Sequence, residues 1–178
     1  IERGWALRRG FILPSPLLDS LDHCHTRADV NTVLRFAQQH QNTPLARLTT
    51  TAIEHLEWAK PDNVEALQTR ARHEVSKMER GLIVLEIITG IAPLLGLVGT
   101  VVGLIDIFGT MATGETEATA FAQGISTALW ATLSGLSIAI PSLIAWSIYN
   151  KRIETFGIEM ETHIDVFLRR QYPNNNEN

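Results

Sequence analysis

The stretch Ile87–Ile105, IITGIAPLLGLVGTVVGLI, holds no charged residue, and neither does Ala118–Asn150, ATAFAQGISTALWATLSGLSIAIPSLIAWSIYN. A helix crossing a hydrocarbon core about 30 Å thick needs roughly 20 apolar residues. Whole-chain averages hide this. Over 178 residues, 45% hydrophobic and 19% charged content match an ordinary globular domain, and the mean hydropathy is only +0.05. The polarity is segregated instead: Ile1–Arg80 carries eleven of the fifteen Lys and Arg residues. Two uncharged stretches of spanning length inside a polar chain predict an all-α membrane protein. Both lie far from the N-terminus and lack a cleavage pattern, so neither reads as a signal peptide.

Positive charge sets the expected orientation. Between the stretches, roughly residues 109–121, there is no Lys or Arg, only Glu115 and Glu117. Arg70, Arg72, Lys77 and Arg80 crowd the entrance to the first stretch, and Lys151 and Arg152 follow the second. The positive-inside rule places both flanks in the cytoplasm and the short loop outside. The expected divisions are a cytoplasmic helical region over 1–81, a transmembrane hairpin over 82–150, and a helix extension with a disordered, Asn-rich tail over 151–178.

Both spans are predicted to continue beyond the bilayer. Pro61, followed by Asp62 and Asn63, marks a helix start. From there Val64, Leu67, Ala71, Val75, Met78 and Leu82 recur at three- and four-residue spacing, a stripe that runs without a break into the first span. Past the second span, Ile153, Phe156, Met160, Ile164 and Phe167 repeat that spacing. Each helix would be about 45–50 residues, or about 70 Å long, so the two project together into the cytoplasm as a helical bundle. Upstream, Thr43 and Pro44 resemble an N-cap and first position leading Leu45, Leu48, Ala52, Ile53 and Leu56. A second short helix is expected over Asp29–Gln39, with Val30, Val33, Leu34 and Ala37 on its apolar side.

Small residues punctuate both spans: Ala92, Gly96, Gly99 and Gly103 in the first, and Gly124, Ala128, Ala131, Gly135 and Ala139 in the second. This spacing lets helix backbones approach closely, either within one subunit or in a bundle of several. Pro93 and Pro141 each remove a backbone hydrogen bond inside a span, as hinges or as fixed kinks. Thr100 and Thr132 are the polar residues of most interest, set among small neighbours. Their hydroxyls can bond the carbonyl four residues back or line a water path, but a hydroxyl does not titrate near neutral pH. Asp106 stands one turn before Gly109, within reach of the external interface, and Glu86 lies at the cytoplasmic end. The chain therefore lacks a deep proton carrier of its own, and a partner is expected to supply the carboxylate.

Other chemistry is poorly represented. His23, Cys24 and His25 alternate without a second cluster at zinc spacing, so no metal site is expected. Cys24 is the sole cysteine, which excludes an internal disulfide. No nucleophile–base pair, phosphate loop or paired carboxylates stand out among the soluble residues, so neither an enzyme nor a bound cofactor is expected. A net charge of −4 argues against a nucleic-acid partner.

Glu79–Leu82 with Ile91–Gly103 (IAPLLGLVGTVVG), and Gly124–Thr132 (GISTALWAT) with Gly135, Leu136 and Ala139–Pro141, resemble the MotA/TolQ/ExbB proton-channel family. The likeness runs from about Glu74 to Asn150, and is closer to ExbB and TolQ than to MotA. It implies a third, N-terminal span preceding Glu2–Arg9 and absent from this sequence. It also implies a pentamer around an ExbD- or TolR-like single-span partner with a membrane aspartate. The transported ion would be the proton and the location the bacterial inner membrane. Thr100 and Thr132 match the family's pore-facing threonines. Thr127 stands where ExbB and TolQ commonly carry glutamate, giving a third hydroxyl and shifting weight to the partner's aspartate. Asp106 is a candidate accessory charge.

Overall fold

The computed structural model describes residues 9–112 and 118–172. Residues 1–8, the loop glutamates Glu115 and Glu117, and the Asn-rich tail from Asn174 lie outside them. Among the described residues seven helices follow in chain order: α1 (Arg9–Ile12), α2 (Ser15–Asp22), α3 (Val30–Gln39), α4 (Pro44–Glu54), α5 (Lys60–Glu79), α6 (Ile83–Ala112) and α7 (Ala118–Gln171). There is no strand among the described residues, so the all-α expectation holds. These helices divide between two compact units, one built from the chain up to Arg80 and the chain from Asn150, the other from Gly81–Tyr149.

In the first unit, α2 packs on α3, α3 on α4, and α4 on α5. The caps follow local sequence. Thr43 has extended backbone and its Oγ1 accepts the Ala46 amide at 3.3 Å, while Pro44 occupies the first turn, where its missing N–H costs nothing. Val33, Ala37, Leu45, Leu48 and Ala52 are buried as their spacing predicts, although Leu34 and Ile53 are only half-buried. The α7 stripe is also buried, with Ile153, Met160 and Phe167 fully inside. The short helices α1 and α2 and the bend between them carry core residues that the periodicity left unread: Ile12, Leu13, Leu17 and Leu21 are all 1% exposed or less.

Two expectations about the first long helix need correction. It is not continuous: α5 ends at Glu79, Arg80–Leu82 form a turn, and α6 begins at Ile83. Gly81 in that turn gives up about 1 kcal/mol of helix propensity relative to Ala. The inward face of α5 is also turned by one residue from the apolar stripe. Asn63, Leu67, Ala71 and Glu74 are buried, whereas Val64, Val75 and Met78 are half-buried. Two polar side chains take core positions because partners await them. The Asn63 amide donates to the Ala52 carbonyl and to Tyr172 Oη, each at 3.1 Å. That phenol stands 3.1 Å from both the His55 and Trp58 carbonyls, which ties the end of α7 to the α4–α5 connection.

Glu74 is the other buried polar residue. Its side chain is 0% exposed, 2.6 Å from Arg47, 3.4 Å from Arg70 and 3.5 Å from Lys77. Burial pushes its carboxyl up, but the Arg47 hydrogen bond and the three cations outweigh that and hold it below the ordinary carboxylate value. Arg47 also donates to the Gln41 and Asn42 carbonyls, so a single guanidinium joins the α3–α4 connection to α5.

In the second unit, α6 and the first part of α7 form an antiparallel hairpin. The most apolar 18-residue stretches within Ile83–Gly109 and Phe121–Gln171 have mean hydropathies of 2.2 and 1.7, yet only 17% of each is buried. A soluble core helix of that hydropathy would be covered on most sides. Leu95, Ile105, Leu129 and Trp130 are each more than 60% exposed, as helices that meet lipid or other membrane helices would be. Pro93 and Pro141 lie inside α6 and α7 without ending either helix.

Candidate functional site

The hairpin's seam is made of its small residues. A Cβ added at Gly135 would lie 2.5 Å from the Ala92 carbonyl oxygen, and one at Gly96 would lie 3.1 Å from the Ala131 carbonyl oxygen. One at Gly99 would strike Ala131 Cβ at 2.6 Å, and one at Gly103 would reach Ala128 Cβ at 3.0 Å. Gly124 faces Ile107 in the same way. Glycine at these places permits backbone-to-backbone approach, which dispersion then rewards over the whole contact. Gly96, Gly99, Gly103, Ala128 and Gly135 therefore share one interface inside a single subunit.

That closeness brings Thr100 and Thr132 together. Their hydroxyls are hydrogen-bonded to each other. Thr100 Oγ1 is also 3.2 Å from the Gly96 carbonyl on its own helix and 3.2 Å from the Ala128 carbonyl across the seam. Thr132 Oγ1 is 3.3 Å from the Gly96 carbonyl, likewise across the seam. Each hydroxyl thus reaches a carbonyl of the opposite helix one turn before the opposite threonine. Both side chains are half-buried.

Proton counting shows what the pair can do. Two hydroxyls hold two hydrogens, and one of these lies between the oxygens. Either Thr100 donates to Thr132, which donates to the Gly96 carbonyl, or Thr132 donates to Thr100, which donates to Ala128 or Gly96. The two orders interconvert by hydroxyl rotation without moving a heavy atom. A hydroxyl pair of this kind can hand on the direction of a hydrogen bond but cannot store a charge near neutral pH.

The third predicted hydroxyl does not join them. Thr127 is exposed and its Oγ1 donates to the Gln123 carbonyl at 3.0 Å on its own helix. Asp106 is exposed on α6, nearer the loop end than the threonine pair. His23 and His25 are exposed while Cys24 between them is buried, its sulfur 3.5 Å from Gln171 Nε2. No group of three metal-ligating side chains occurs among the described residues.

Three relatives give these features a family context. A putative biopolymer transport protein ExbB-like 1 from Synechocystis is 38% identical over 107 residues, covering 54% of this chain and 42% of the relative. An ExbB-like 3 protein from the same organism is 34% identical over 140 residues, covering 75% and 66%. The Tol-Pal system protein TolQ of Pseudomonas aeruginosa is 35% identical over 103 residues, covering 57% and 45%. The chain spans about half the length of the first curated relatives it matches. The family match runs over residues 40–162, across the seam and the threonine pair, and the chain belongs to the MotA/TolQ/ExbB proton channel family.

Proposed function

We propose that this chain is an ExbB/TolQ-like pore-forming subunit of a proton-driven motor in the bacterial inner membrane, doing mechanical or transport work at the cell envelope. The observation that carries the reading is the Thr100–Thr132 pair, a hydrogen-bonding step held between two charge-free stretches, Ile87–Ile105 and Ala118–Asn150. In this reading the basic flanks around Arg80 and Lys151 face the cytoplasm. Five copies surround an ExbD- or TolR-like single-span partner. The partner's membrane aspartate exchanges the proton, and the threonine pair orients the hydrogen bonds it meets.

Thr100→Ala and Thr132→Ala test this. Each removes a hydroxyl while leaving the small-residue seam in place, so energy-dependent function should be lost while assembly survives. Normal function of both variants in a complemented strain would end the pore role. A second reading, a structural scaffold of the same fold that conducts nothing, draws on the same geometry, since every hydroxyl of the pair is already bonded within the hairpin. Function that persists in the presence of a protonophore would favour the scaffold.

A further inference from the structure

Only one charged residue, Asp106, occurs among the described residues 87–149. Its place on the hairpin follows from the seam. Ile107 on α6 faces Gly124 on α7, and Gly103 faces Ala128, so Asp106 is the residue just before an inward position at the depth of 124–128. Thr127 comes just before the inward Ala128, and Gln123 just before the inward Gly124. One residue back turns a helix about 100°. For two antiparallel right-handed helices facing each other, that turn is toward the same side of the pair, because a two-fold axis normal to the plane of the helices exchanges them. Asp106, Gln123 and Thr127 therefore share one face of the hairpin and one depth. All three are exposed. Next along that face, away from the loop, the chain is apolar: Val102 is 59% exposed and Trp130 is 63% exposed.

A carboxyl, an amide and a hydroxyl gathered at one depth, with Val102 and Trp130 next along the face, make a place where a proton can be held and solvated. The hydroxyl of Thr127 spends its hydrogen on the Gln123 carbonyl, which leaves its oxygen to accept. Of the three, only the carboxyl changes charge. Asp106 lies six residues before the end of α6, about 9 Å along the helix axis, on the loop side of the Thr100–Thr132 pair.

We propose that Asp106, flanked on one face of the hairpin by Gln123 and Thr127, is a proton-exchanging carboxyl of this subunit, taking up the transported proton at the loop end of the pore. The proposal rests on the proton-driven reading above and adds to it a titrating group that belongs to this chain. The carboxyl receives a proton from water at the loop end and gives it up toward the partner, with no other bond made or broken. No other titratable side chain among the described residues lies on the packed stretches of α6 and α7 at this depth.

The test uses the complete complex, purified with its partner and reconstituted in liposomes that enclose a pH-sensitive dye. Asp106→Asn should lower proton flux about a hundredfold, while Asp106→Glu keeps most of it. Adding Thr127→Glu to Asp106→Asn should restore flux, because it returns a carboxyl to the same face and depth. Wild-type flux that Asp106→Asn leaves unchanged overturns the proposal alone, whereas a wild-type complex that carries no protons overturns the motor reading with it. Failure of Thr127→Glu to restore flux removes the shared-face argument. Sodium-dependent flux indifferent to pH overturns the proton assignment. Wild-type complex treated with dicyclohexylcarbodiimide should carry an adduct on the peptide containing Asp106, a readout that needs no variant to fold, and the absence of the adduct counts against a carboxyl that becomes protonated there.

Discussion

The two units of this chain solve the problem of polar groups in opposite ways. In the hairpin of Gly81–Tyr149, glycine and alanine bring backbones together, and hydroxyls from Thr100 and Thr132 bond carbonyls across the seam. In the other unit, leucines and isoleucines fill the interior, and the polar side chains inside include the Glu74 carboxylate and the Asn63 amide with several partners each, beside hydroxyls such as Thr49 bonded within their own helix. The difference is one of solvent. Lipid gives two apolar helices no hydrophobic reason to associate, so close packing and hydrogen bonds between the helices must hold them. Water drives leucines inward, and a core built that way can accept a buried charge provided cations surround it.

The largest expected effect breaks the aqueous side of this comparison. Glu74→Gln leaves Arg47, Arg70 and Lys77 converging on a neutral amide, and should cost the full-length chain about 3 kcal/mol in a denaturant melt followed by near-ultraviolet circular dichroism. The wild type carries a matching pH signature. The folded carboxyl sits below its ordinary value of 4.5, so its contribution is complete above that value and is lost as the pH falls through the lower, folded one. Stability should fall in that acid window for the wild type and less steeply for the variant. Equal slopes would mean that Glu74 is no electrostatic centre.

A somewhat smaller effect strikes the hairpin. Gly135→Ala places a methyl group 2.5 Å from the Ala92 carbonyl oxygen, which forces the helices apart at a cost of about 2 kcal/mol. Thermal denaturation in detergent reads this directly, and an unchanged midpoint would show that the seam is looser than its geometry. The smallest effect sharpens the same point with the opposite sign. Gly90 stands on α6 with nothing within 4 Å of an added Cβ, so Gly90→Ala should gain about 0.5–1 kcal/mol from helix propensity. Two glycines on paired helices, one inside the seam and one outside it, would then answer the same substitution in opposite directions.

Much of the fold was legible in local sequence. Charge-free runs of spanning length marked both apolar helices, Thr43 and Pro44 marked the start of α4, and the spacing from Ile153 to Phe167 marked the buried face of α7. These features depend on nearby residues only, so pattern and capping rules reach them. Periodicity failed on α5, where it nominated Val64, Val75 and Met78 and passed over Asn63 and Glu74. Hydropathy assigns polar residues outward, and pattern alone does not reveal the partners distant in sequence, Arg47 and Tyr172, that help make their burial tolerable. The break at Arg80–Leu82 escaped for a related reason, since an apolar stripe can continue across a turn that contains glycine.

For the candidate site the division is sharper. By itself the sequence determined that Thr100 and Thr132 are hydroxyls among small residues in apolar runs, that Thr127 is a third hydroxyl, and that Asp106 is the lone charge in residues 87–114. Only the tertiary structure decided which of these meet. The antiparallel register pairs Gly96 with Thr132 and Gly103 with Ala128. That register joins the two threonines, leaves Thr127 on another face, and sets Asp106 level with it. Depth and facing on a second helix are set by how far the backbones can approach, and that distance is a property of the packed pair and of neither helix alone.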